Sequence, residues 1–137
     1  MHFTEYDIRL AAYAVIVNEA DELLLTWYNG EGMVTPKWTL PGGGVEFDEA
    51  VADAVVREVY EETGYQVEVG PLLAVPHFTL ARSNERARPF RGQRFLHAAT
   101  IVGGELGTVE VGGTTDLARW VPLDAVRGLA EERADIV

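Results

Sequence analysis

No cysteine occurs among the 137 residues, which excludes disulfides, thiolate metal ligands and a cysteine nucleophile. Basic charge is scarce. Eleven Lys and Arg stand against 22 Asp and Glu, for a formal net charge of −11. A surface that acidic repels nucleic acid, which is therefore not an expected partner. A phosphate-bearing ligand would need metal ions or a local basic patch. No apolar run approaches the ~18 residues that a membrane helix requires, so no membrane contact is expected. The stretch Met1 to Asp7 has neither the basic region nor the apolar stretch of a secretory signal. Together with the missing cysteines, this makes a cytoplasmic protein the expectation.

What is present suits a single domain over residues 1–137. Hydrophobic residues make up 47% and charged residues 24%, enough apolar surface for one buried core. Ala11 to Val17 is a β-leaning run. A turn at Asn18 to Glu22 and the run Leu23 to Trp27 read as the rest of a hairpin. Tyr28 to Pro36 reads as a loop, and Trp38-Thr39-Leu40 as a short extended piece before Pro41. The run Pro41-Gly42-Gly43-Gly44 reads as a loop. Ala50 to Thr63 contains neither Gly nor Pro. With Asp48 as N-cap, Glu49 in the first turn and Gly64 just past the end, a helix is expected at about 49–63. Val51, Val55 and Val59 form its core stripe. Strands are expected around Val67 to Val75, at Phe95 to Val102 and at Arg119 to Val121. The segment from Gly103 to Asp116 reads as a glycine-rich loop with a short extended piece near Val109 to Val111. A second helix is expected from Leu123 to about Ala134. Strands before and after each helix predict an α/β architecture, a mixed sheet with helices packed on it.

The first helix carries an unusual load. Glu58, Glu61 and Glu62 stand at i, i+3 and i+4, within about a 100° arc at 100° per residue. Like charges at that spacing cost about 0.2–0.5 kcal/mol per pair, and only Arg57 is near in sequence to offset them. Clustered carboxylates of this kind suit a hard divalent cation such as Mg²⁺, or else form a solvated acidic face. The glycines before the helix allow a close backbone approach to a ligand.

From Gly43 the chain reads Gly, five residues, Glu49, seven residues, then Arg57-Glu58-Val59-Tyr60-Glu61-Glu62-Thr63-Gly64-Tyr65. This resembles the Nudix box, Gly-x5-Glu-x7-Arg-Glu-(aliphatic)-x-Glu-Glu-x-Gly-(aliphatic). All seven fixed positions match; from residue usage, a chance match is on the order of 10⁻⁷ per start position. The one departure is Tyr65, where the family usually has an aliphatic residue. The approach Trp38-Thr39-Leu40-Pro41-Gly42-Gly43 is also similar to the family's. The resemblance implies a Nudix-type α/β/α sandwich with a mixed β-sheet between helices. It also implies a hydrolase acting on a nucleoside diphosphate linked to another group X, with Mg²⁺ or Mn²⁺ as cofactor. Glu58, Glu61 and Glu62 would bind one to three ions, and the carbonyl of Gly42 would be a further ligand. Glu49 and Arg57 would form an ion pair fixing the loop to the helix, with Arg57 orienting Glu58. A carboxylate would serve as general base. In the family this is a box glutamate or one from a distant loop; here Asp116 ranks before Glu110, and loop solvation is the plainer reading of both.

Five arginines, Arg82, Arg86, Arg88, Arg91 and Arg94, fall within 13 residues. Their planar forks suit phosphate or carboxylate, on the substrate or on a second subunit of a homodimer; a solvated loop is the plainer alternative. Trp27, Tyr28, Trp38 and Phe78 are candidates for stacking on a base, though core packing is the commoner fate of such residues. His97, in an apolar strand, reads as a core residue; His77, after Pro76 at a strand end, could line a cleft but is not counted among the site residues. Two other functions of the same fold compete. A binding module that senses nucleotide derivatives without turnover is expected to lose one of the three glutamates, and all are present. An isopentenyl diphosphate isomerase would require a cysteine.

Overall fold

Leu23, Leu24 and Leu25 are all buried, and successive strand residues point to opposite faces, so this strand lies between two apolar layers. The computed structural model describes residues 1–30, 36–107, 115–126 and 128, with the backbone alone at Asp116. The elements are β1 (Asp7–Val15), β2 (Glu22–Tyr28), β3 (Lys37–Thr39), β4 (Gly42–Gly44), α1 (Val51–Thr63), β5 (Tyr65–Ala74), β6 (His77–Leu80), β7 (Phe90–Gly104), β8 (Thr115–Pro122) and α2 (Leu123–Val126). A mixed sheet runs β4-β1-β7-β5, with β6 also against β7. In it β1 and β7 are parallel and the other pairs antiparallel. A smaller antiparallel sheet runs β3-β2-β8.

Two cores follow. Ala54, Val55 and Val59 of α1 pack on Ala12, Ala14, Ile16, Leu24 and Val67. On the other side Leu23 and Leu25 join Trp38, Leu40, Leu96, Val121 and Val126 of α2. Helices thus lie on both sides of the strands, the α/β/α arrangement expected. The valine stripe is as expected, with Val55 and Val59 fully buried and Val51 packed at its edge. No described helix is long and apolar enough to cross a membrane.

Several elements differ from the sequence reading. The turn at 18–22 forms, with Asn18 Oδ1 accepting from the N–H groups of Ala20 and Glu22. Its strands, however, share only the bridge Val17–Leu23, because β1 pairs with β4 and β7 while β2 pairs with β3 and β8. The expected loop at Pro41 to Gly44 is strand from Gly42 onward, in register with Ala11 to Tyr13. Helix α1 starts at Val51, with Ala50 as N-cap and no side-chain cap. The cause is a turn at 46–49: Glu49 N–H donates to Glu46 O, and Glu49 Oε1 accepts from Glu46 N–H. Strand β7 begins five residues before Phe95, and β6 was not foreseen. The extended piece expected at 109–111, and the second helix from 129 onward, lie outside the described residues.

Gly64 closes α1 in the left-handed region at φ 81°, its N–H donating to Tyr60 O. A Cβ there would stand 2.2 Å from Glu105 O. Left-handed backbone alone costs a non-glycine residue about 1–2 kcal/mol. Gly64→Ala is therefore expected to lower unfolding free energy by at least about 1 kcal/mol, read from urea denaturation. An unchanged midpoint would contradict this.

Candidate metal and substrate site

The glycine strand and α1 meet face to face. A Cβ on Gly43 would lie 2.8 Å from the Glu58 carboxyl carbon, and one on Gly42 2.2 Å from Ala12 O. The glycines thus let the backbone press against β1 on one side and a glutamate on the other. Gly42 sits at φ 151°, a conformation open to residues without a Cβ.

Arg57 ties the loop to the helix. Its Nε donates to Glu49 Oε2 at 2.8 Å and its Nη2 to Glu49 Oε1 at 2.9 Å, a bidentate pair. Nη2 also donates to Gly44 O at 3.0 Å. Nη1 reaches Glu58 Oε1 at 3.0 Å and Glu61 Oε2 at 3.4 Å. The hydrogen bonds from Arg57, then the Glu46 N–H, hold the Glu49 carboxyl down to about 2. The Glu49 bond in turn holds Arg57 more firmly protonated, with Glu58 adding to the effect.

Glu62 is the anomaly. Its side chain is buried, with the residue 5% exposed, and its Oε2 accepts from Gly42 N–H at 3.4 Å. Burial first, then the charge and contact of Glu58, push its carboxyl well above the ordinary range; Gly42 N–H and the Thr115 side chain pull the other way. Two touching carboxylates in a dry place need a proton or a cation between them. Oxygen donors of that charge are what Mg²⁺ or Mn²⁺ takes, so these residues fit such an ion. Among the described residues no three acidic or imidazole groups already converge on one point. Glu58 and Glu62 form the assembled pair, and Glu61 is turned to Arg57.

The five arginines of 82–94 go to different places. Arg82 is exposed in the loop after β6. Arg86 lies over the Phe90 ring, and Arg88 grips Asp7 Oδ1 and Thr4 O. Arg91 donates to Gln93 Oε1, and Arg94 stacks over Phe78 at 4.4 Å. Asp116 lies in β8 but its side chain, like all of Glu110, is outside the described residues. Trp38 is core, edge-on to Trp27. His97 is half-buried with Nδ1 3.0 Å from Gly70 O, and His77 is exposed on β6. Two neighbours of the site escaped the sequence reading. Thr115 touches Glu62, and Tyr13 packs against Gly42. Neither lies in the box, and only the strand register reveals them.

The NUDIX domain family model matches residues 7–137. A Bacillus subtilis protein, provisionally named an 8-oxo-dGTP diphosphatase, is 31% identical over 111 residues, covering 80% of this chain and 64% of that protein. This chain spans less than two thirds of the length of the curated relatives it matches first. A crystal structure of an ADP-ribose pyrophosphatase from Streptococcus suis superposes with a TM-score of 0.62 at 30% identity, over 85% of this chain and 75% of that one. A NUDIX hydrolase from Nitrosomonas europaea gives a TM-score of 0.77 at 23% identity, over 96% and 84%, a likeness of fold.

The depressed Glu49 carboxyl has a consequence for stability. Its contribution is complete above the ordinary carboxylate range near 4.5 and is lost as pH falls towards about 2. Glu49→Gln is expected to melt at a lower temperature than the parent at pH 7, the gap narrowing on acidification through that window. A gap that stays constant from pH 7 to pH 2.5 would sink the charge contribution.

Proposed function

Since the chain belongs to the Nudix family, we propose that it is a metal-dependent hydrolase cleaving the diphosphate linkage of a nucleoside diphosphate joined to another group X. The observation that carries this reading is the buried Glu58–Glu62 pair under the glycine strand, an arrangement that is unfavourable without a cation. The names of the Bacillus and Streptococcus relatives support nucleotide-derived substrates.

In this proposal Glu58, Glu61, Glu62 and the Gly42 carbonyl would hold Mg²⁺ or Mn²⁺. Such an ion, when bound, lowers the pKa of water and neutralises charge growing on phosphoryl oxygens. The protein's own part is positional. Arg57 fixes the Glu58 carboxylate through Nη1 and the glycine strand through Gly44 O. Glu49 keeps the guanidinium in place. The Gly42 N–H and Thr115 steady the Glu62 carboxylate. The base that takes the water's proton is one of the site carboxylates or Asp116, next in the chain to Thr115.

Mg²⁺-dependent hydrolysis is expected in a screen of nucleoside triphosphates, ADP-ribose, nucleotide sugars and dinucleoside polyphosphates. Glu58→Gln or Glu62→Gln should lower kcat by about 10²- to 10⁴-fold; full activity of both variants would overturn the assignment. Because the raised Glu62 carboxyl must lose its proton to bind metal, Mg²⁺ affinity should weaken as pH falls. Calorimetry in buffers of different ionisation enthalpy should show proton release on Mg²⁺ binding, and Glu62→Gln should abolish it. Binding without proton release in the parent would contradict the buried protonated pair.

A further inference from the structure

On the sheet face opposite α1, two arginines stand on the strands next to the glycine strand, Arg9 on β1 and Arg94 on β7 beyond it. Arg9 of β1 presses on Gly44, its Nη2 standing 2.9 Å from where a Cβ would be. Arg94 of β7 pairs in register with Ala11, two residues from Arg9 on the parallel neighbour, so both side chains belong to one face. Each guanidinium is oriented by its surroundings. Arg9 hydrogen-bonds the side chain of Tyr13. Arg94 lies 4.4 Å above the Phe78 ring, and that ring packs against Gly92, where a Cβ would meet it at 2.1 Å. Between Arg9, Tyr13, Phe78, Phe90 and Arg94 is a cavity of about 70 Å³. A space of that size beside two guanidinium groups admits a small anion such as one tetrahedral oxyanion. The cavity reaches the glycine strand, since its Tyr13 wall packs against Gly42.

We propose that Arg9 and Arg94 form an oxyanion subsite that holds a phosphoryl group of the X moiety, so that the enzyme favours substrates with an anionic X, such as nucleoside triphosphates, over those whose X is a neutral sugar. The inference rests on the diphosphate hydrolase reading and sharpens it to a substrate class. The physical basis is twofold. Planar forks held by an aromatic face and a tyrosine lose little freedom on gripping phosphate. In a chain of net charge −11, a pair of cations on the face next to the glycine strand also offsets the repulsion that a polyanion would meet there.

Two measurements test it. The first compares kcat/KM for dGTP and for ADP-ribose in the parent, Arg9→Gln and Arg94→Gln, with thermal melts confirming the fold. The dGTP-to-ADP-ribose ratio should exceed one in the parent and fall by about 10- to 100-fold in each variant, chiefly through KM. Arg9→Lys, which keeps the charge without the fork, should fall between. Equal losses on both substrates, or a parent that prefers ADP-ribose, would overturn the proposal. The second stands apart from turnover. Inorganic phosphate titrated into metal-free protein should shift the Nε–Hε NMR signals of Arg9 and Arg94, and the shifts of each should weaken when the other is replaced by Gln. Signals that do not move would overturn the subsite even in an active enzyme. Moving signals in a protein that hydrolyses neither substrate would instead count against the hydrolase reading and keep the subsite.

Discussion

The Arg57 guanidinium touches three parts of the chain at once: both oxygens of Glu49 before the helix, the Gly44 carbonyl of the glycine strand, and Glu58 one residue on. A planar fork with five donors can do this and an ammonium cannot. The contacts set the distance between β4 and α1 and with it the position of the carboxylates under Gly42 and Gly43. They also explain why α1 starts late, since the turn at 46–49 is committed to presenting Glu49. A helix whose own acidic side chains repel one another keeps its place because the tie is made from its middle, at Arg57, and the apolar stripe of Val55 and Val59 is fully buried.

The tie does not relieve Glu62, which lies beyond the reach that the structure gives Arg57. Its carboxyl is buried against Glu58 and steadied by a backbone N–H and Thr115. Stability alone would favour an apolar side chain there. A buried acid kept at such a place is the kind of local conflict that functional sites carry, and the proposed divalent cation would resolve it.

Periodicity and spacing made the helix readable, because Val51, Val55 and Val59 mark one face and Glu58, Glu61 and Glu62 another. Gly64 declared the helix end through its backbone freedom. What stayed hidden depended on partners distant in sequence. Three successive glycines look like a loop until Ala11 to Tyr13 lie beside them, and the hairpin at 18–22 divides between two sheets because each strand finds better neighbours elsewhere. The cluster of arginines in 82–94 suggested one patch, yet strand alternation and separate partners disperse it. The cation that matters beside the glycine strand from outside that cluster, Arg9, carries no local signal at all.

The proposed activity depends on the Glu58–Glu62 pair beneath the glycine strand being a divalent cation site. Anomalous diffraction from crystals grown with Mn²⁺ tests it most directly. An anomalous peak is expected, bounded by the carboxylates of Glu58 and Glu62 and the carbonyl of Gly42. No peak there, or Mn²⁺ bound elsewhere with Glu58 and Glu62 still in contact, would contradict it.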